Sequence, residues 1–157
     1  MTKPTIRPMR KNRGIRIIVI PDTQVKPGVP LDHMTWAGKH IQERRPEVVI
    51  HMGDFCDMGS CSTYDEKGSL AAEGRSIEDD LASSREALKL LNKAMHPWRP
   101  RKILCLGNHE NRLERYVNAN PQHRKTYADD PFGYEAAGWE VHPFLKPVHV
   151  AGIKFVH

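Results

Sequence analysis

No apolar run in this chain approaches the roughly 20 residues that a membrane-spanning helix needs. The longest, Ile17-Ile18-Val19-Ile20 and Val48-Val49-Ile50, are strand-sized. The basic N-terminus has no apolar core of signal-peptide length behind it. These two lacks point to a soluble cytoplasmic protein. Cysteine is also scarce. Cys56, Cys61 and Cys105 are an odd count with no CxxC pair. That argues against a disulfide scaffold and gives poor spacing for a zinc–thiolate site. Small buried or half-buried thiols are the simpler reading. Acid is missing from residues 1–16, which carry Lys3, Arg7, Arg10, Lys11, Arg13 and Arg16. The overall charge of +5 therefore misleads, because residues 17–157 hold 18 basic against 19 acidic side chains. The excess sits in a tail, residues 1–14, expected to be disordered. It is either a nucleic-acid contact or a solubilising segment with no partner.

What is present suits one packed domain over residues 15–157. Hydrophobic residues make up 39% and charged residues 27%, enough apolar surface for a core. Ile15–Ile20 is a β-rich run stopped by Pro21-Asp22. Residues 32–45 read as a helix with Asp32 as N-cap, Leu31, Met34, Gly38 and Ile41 on one side, and Pro46 as its end. Glu47–His51 is a second strand. After a polar connection over 58–75, Ser76 caps a long helix in which Ile77, Leu81, Ser84, Leu88, Leu91 and Met95 form an apolar stripe. Lys102–Leu106 is a third strand, and a short helix spans about 109–118. Two or three short β runs follow, Trp139–His142, Val148–Val150 and Ile153–His157, read as an added antiparallel portion. The β-α-β-α-β order predicts an α/β fold with parallel strands and right-handed crossovers. The carboxyl ends of such strands form the binding edge.

Polar clusters stand at those ends. The first strand ends in Asp22-Thr23-Gln24, the second in Gly53-Asp54-Phe55-Cys56-Asp57, the third in Gly107-Asn108-His109-Glu110 and the last β run in His157. Carboxylate, amide oxygen and imidazole are donors for divalent ions such as Mn, Fe or Zn. Two such ions about 4 Å apart clamp a phosphorus centre for in-line displacement. Asp54, on the middle segment, has two oxygens and can bridge. Singly, each motif has a plain structural reading: Pro-Asp as a turn, Asn108 as an N-cap, His157 as a strand residue. Their joint occurrence in this order is the argument.

The set resembles the calcineurin-like metallophosphoesterase superfamily, with motifs D-x-H, GDxxD, GNHE, a strand ending in His, and GHxH. Asp54 and Asp57 match the second motif, Gly107–Glu110 the third in full, and His157 the fourth. The chain is also similar to phosphoesterases carried by phages and prophages. The resemblance implies a calcineurin-like sandwich of mixed sheets flanked by helices. It implies a hydrolase acting on phosphomonoesters or phosphodiesters, nucleotides and nucleic acid among them. It implies two divalent ions drawn from Mn, Fe, Zn or Mg, with Mn favoured. Asp22 and Gln24 would bind one ion, Asn108 and His157 the other, and Asp54 both. A metal-bound hydroxide would be the nucleophile. His109 would act as general acid at the leaving oxygen and Asp57 would orient it.

Three departures stand out. Gln24 replaces the usual His, a harder and weaker donor that favours Mn or Mg over Zn. Met58 stands where the family often has a phosphate-contacting Arg. GHxH is absent, so the fold is expected to be cut before its final strands, with His142 and His149 the first substitutes. Arg112 and Arg115, after GNHE, are candidates to face a phosphate. Among the other histidines only His51, just before Gly53-Asp54, draws notice. Two competing readings are a non-catalytic nucleic-acid-binding accessory protein using the basic tail, and a poorly folding remnant.

Overall fold

The computed structural model describes residues 14–63 and 74–157. Nearly all of the basic tail, and the middle of the connection expected over 58–75, lie outside them. Four strands, β1 (Ile17–Ile20), β2 (Val48–His51), β3 (Arg101–Cys105) and β4 (Glu140–His142), form one parallel sheet in the order β1-β2-β3-β4. The crossovers are α1 (Asp32–Arg44), α2 (Ile77–Met95) and a longer connection that begins with α3 (Glu110–Ala119). Strands β5 (Val148–Val150) and β6 (Ile153–Phe155) make a separate antiparallel pair.

Alternation along the buried strands sends side chains to two cores. Val49 and Leu104 face the helices and pack with Met34, Ile41, Leu88, Leu91 and Leu113. Val48, Ile50, Ile103 and Cys105 face the other way, onto Val148 and Val150 of the hairpin. Helices thus cover one face of the sheet and the hairpin the other, the calcineurin-like arrangement. The helix-face core is the larger and holds the fold. Truncating Leu91, fully buried, is a change of the kind that costs about 2–5 kcal/mol.

Helix ends follow the local chemistry. Ser76 Oγ accepts from Asp79 N at 3.3 Å and caps α2, with Glu78, Asp79 and Asp80 in the first turn against the helix dipole. In α1 the expected cap is displaced by one position. Leu31 is the N-cap, with no side-chain hydrogen bond, and Asp32 is the first helical residue, where its charge still favours the dipole. Arg45 closes α1 in the left-handed conformation, because Pro46 disfavours another helical residue before it.

The antiparallel reading of the late strands holds for β5 and β6 only. β4 pairs in parallel with β3, with Ile103 opposite Glu140. Arg101 Nε and Nη2 donate to Glu140 Oε2 and Oε1, each at 3.0 Å, a bidentate pair that joins the two strands beside that register. No described helix is long and apolar enough to cross a membrane.

Candidate metal centre

The carboxyl ends of β1, β2 and β3 are zipped together by backbone hydrogen bonds. Thr23 N and Gln24 N both donate to Asp54 O, at 3.2 and 2.9 Å. Val25 N donates to Phe55 O and Asp57 N to Val25 O, each at 2.8 Å, so the first loop runs along the second. His109 N then donates to Asp54 Oδ1 at 2.9 Å and ties in the third. Gln24 and Asp54 both take positive φ, 44° and 49°, a conformation that costs a side-chain-bearing residue energy and recurs at functional sites. Gly53 and Gly107 allow the close approach. A Cβ on Gly107 would overlap the Asp54 carboxylate and backbone nitrogen, and one on Gly53 would meet His157 Nδ1 at 2.7 Å.

One buried carboxylate organises this edge. Glu110, 2% exposed, accepts from Asp54 N and Cys56 N at 3.0 Å and from Gly107 N at 2.8 Å. Tyr134 OH donates to it as well, at 3.2 Å. Burial pushes the Glu110 carboxyl above the usual range, the Cys56 and Gly107 N–H groups pull it back, and the Asp54 charge adds to the rise. His51 does similar work on the first loop. Its Nδ1 accepts from Gly53 N at 3.2 Å, so Nε2 carries the proton and donates to Thr23 Oγ1, also at 3.2 Å. Thr23 Oγ1 donates in turn to Phe55 O at 3.1 Å. Burial, with a smaller contribution from His157, lowers the His51 pKa to about 3, so this ring is neutral.

Donor atoms of Asp22, Asp54 and His157 lie within 4.8 Å of one another, the one such group of His, Cys, Asp and Glu atoms among the described residues. His142 bonds Glu140 at 2.8 Å, and His149 pairs with Lys154 on the hairpin; neither enters the group. His157 Nδ1 donates to Met52 O at 2.7 Å, which turns Nε2 toward Asn108 Oδ1 at 3.0 Å and Asp54 Oδ1 at 3.5 Å. Imidazole, amide oxygen and carboxylate converging on one point are a donor set that a divalent cation takes. The donor set therefore fits a divalent ion.

His109 stands beside this group. Its Nε2 is 3.7 Å from Asp54 Oδ2 and accepts from Arg112 Nη2 at 3.0 Å. Its Nδ1 is buried and 3.2 Å from Asp57 Oδ1, close enough to pair but not aligned into a hydrogen bond. Arg112 also donates to Asp57 O at 2.8 Å, so this side chain lies against the loop rather than in open solvent. Asp22 and Gln24 are exposed at the outer rim. A cavity of about 470 Å³ runs between α3 and residues 127–144; Leu106 and Glu110 line it, but none of Asp22, Asp54, Asn108 and His157 does.

Residues 15–156 match the calcineurin-like phosphoesterase family, and the chain belongs to it. Membership implies divalent metal ions and a phosphate-ester substrate. No curated protein matches the chain.

Three organising residues escaped the reading of the sequence. Glu110 was visible as the last letter of GNHE but was given no role. Tyr134 and Thr23 carry no motif of their own. A signal existed for Glu110: an acid three residues after a glycine at a strand end, at the start of a helix, is placed to accept the loop's N–H groups.

Proposed function

We propose that the chain is a two-metal phosphoesterase in which Asp22, Gln24 and Asp54 hold one ion and Asp54, Asn108 and His157 the other. The observation that carries this is the convergence of His157 Nε2, Asn108 Oδ1 and Asp54 Oδ1, with Asp22 close enough to share an ion with Asp54 and His157. Divalent ions there would polarise a phosphate ester and activate water for attack at phosphorus. Oxygen donors with a single imidazole suit Mn better than Zn. Three free thiols accord with a cytoplasmic setting, and burial pushes the Cys56 thiol up, out of the reactive range.

His109 is the residue placed to hand a proton to the leaving oxygen. Asp57, 3.2 Å from Nδ1, would steady the ring as an imidazolium. Arg112 now holds Nε2 as an acceptor. A proton on Nε2 requires that guanidinium to yield its place, and a phosphate oxygen is the partner that would draw it off.

The test pairs two variants, assayed for metal content and for hydrolysis of aryl phosphate mono- and diesters. Asp54→Asn is expected to lose bound metal and to abolish turnover. His109→Ala is expected to keep metal and lose about 10²–10⁴-fold in turnover, less for esters with good leaving groups. Near-normal turnover in Asp54→Asn would sink the two-metal reading. Equal losses for good and poor leaving groups would sink the acid role.

A further inference from the structure

We infer that the face of α3 beside the site is a track for single-stranded nucleic acid, so that the ester cleaved is a phosphodiester of an unpaired strand. The inference rests on the phosphoesterase reading above. In the reaction, water adds its oxygen to phosphorus and the bond from phosphorus to the leaving strand oxygen breaks. That oxygen takes up a proton, leaving a phosphate monoester on one strand and a hydroxyl on the other.

Charge and geometry point the same way. Residues 111–127 carry Arg112, Arg115, Arg124 and Lys125 against one acid, Glu114, on a body whose residues 17–157 sum to a net charge of −1. Helical spacing separates α3 into two faces. Glu110, Leu113, Glu114 and Val117 line the cavity described above. Arg112, Arg115 and Tyr116, at i, i+3 and i+4, share the other face, which begins at His109. At about 1.5 Å per residue, Tyr116 stands about 6 Å beyond Arg112 along the helix axis.

There the track becomes aromatic. The rings of Tyr116 and His123 are 5.7 Å apart, and those of His123 and Tyr127 are stacked at 6.3 Å and 29°. All three are half-buried, so each ring is fixed yet still meets solvent, while Arg115, Arg124 and Lys125 around them are exposed. Acids remain nearby: Glu114, Asp129 and Asp130 line the cavity together with Tyr127 and bound the track on that side. Glu78 accepts from Tyr127 OH at 2.6 Å and from Ser76 Oγ at 3.1 Å, and Asp130 accepts from Tyr134 N and Ala136 N. Cations that follow a backbone, interleaved with rings on which bases stack, are how unpaired strands are held. A duplex offers no free base faces, and a phosphopeptide has no need of an aromatic stack.

The test uses the whole chain, with its basic tail constant and a chelator present to prevent cleavage. The probe is a labelled 12-mer of oligothymidine followed by fluorescence anisotropy. A triple variant, Arg115→Glu, Arg124→Glu and Lys125→Glu, is expected to weaken binding at least tenfold and flatten the salt dependence by about 2 in slope. His123→Ala is expected to weaken binding about fivefold or more with the salt slope unchanged. Arg124→Gln with Lys125→Gln serves as a milder pair if the triple variant melts early. Undiminished binding in these variants overturns the track. So does equal affinity for a blunt duplex, or for an acidic phosphopeptide of the same charge. Hydrolysis of a small aryl phosphate, with metal restored, is read in parallel. Loss of that activity while oligonucleotide binding persists would count against the phosphoesterase reading and leave the track standing.

Discussion

The two sides of the proposed metal centre are built differently. On the inner side, Asp54 and Asn108 sit on loops whose N–H groups are gathered by Glu110, and His157 is aimed by the Met52 carbonyl. On the outer side, Asp22 and Gln24 are exposed, and their loop is held by backbone bonds to residues 54–57 and by the Thr23–His51 contact. The contrast shows where preorganisation is placed. In the proposed site the inner donors would be fixed by buried groups before an ion arrived, whereas the outer ones would keep freedom to adjust. Sequential loading is the expected consequence, with the inner ion bound first and more tightly.

Breaking the inner side should have the largest effect. Glu110→Ala strips the partner from three buried N–H groups and from Tyr134 OH. A loss of about 3–5 kcal/mol in chemical denaturation is expected, of the size seen when one partner of a buried charged network is removed. Glu110→Gln, which keeps the shape but trades one acceptor oxygen for an NH₂ group, should fall between it and the parent. If Glu110→Ala unfolds at the parent's denaturant concentration, the inner side is not organised by this carboxylate.

Sharpening the outer side should have a smaller effect. Gln24→His supplies an imidazole in place of an amide. It is expected to strengthen the weaker of two calorimetric binding steps about tenfold and to leave the stronger one alone. A change confined to the stronger step would show that the two sides have been assigned the wrong way round.

The link between the sides is tested through its dependence on pH. The His51 pKa is about 3 in the folded protein, below the ordinary 6.5. The unfolded chain therefore binds the extra proton in that window. Stability from this group is intact above about 6.5 and lost as the pH falls toward about 3, by up to about 1.4 kcal/mol per unit. His51→Gln removes the titrating ring and should flatten the dependence of the urea midpoint on pH between 7 and 5. An unchanged slope would show that other groups set the acid sensitivity.

Much of this was legible in the sequence because it is written in local patterns. The α1 helix is announced by Met34, Gly38 and Ile41 on one face and by Pro46 at its end, and the structure places it at Asp32–Arg44. The α2 stripe and its Ser76 cap are equally local. The strand-end motifs gave the family because their order and residue types are specific together. The direction of β4 was not legible. A three-residue strand has no periodicity that encodes its partner, and its pairing depends on the open edge of β3. Nor was the role of Glu110, since its hydrogen bonds reach 54 and 56 positions back along the chain. The Asp32 cap failed for a subtler reason. Leu31 took the capping place with backbone geometry alone, and no local pattern distinguishes adjacent candidates.

The bond from His157 to the Met52 carbonyl joins positions 105 residues apart. That separation has a meaning in time. During synthesis at about 5–20 residues per second, Met52, just past β2, is made about 5–20 s before His157. For that interval the carboxylates of Asp22 and Asp54 exist without the imidazole, and an ion meeting them finds an unfinished cage. The hairpin of β5 and β6 carries His157 back to the first half of the chain, so in the proposed site metal loading would wait for the hairpin to form.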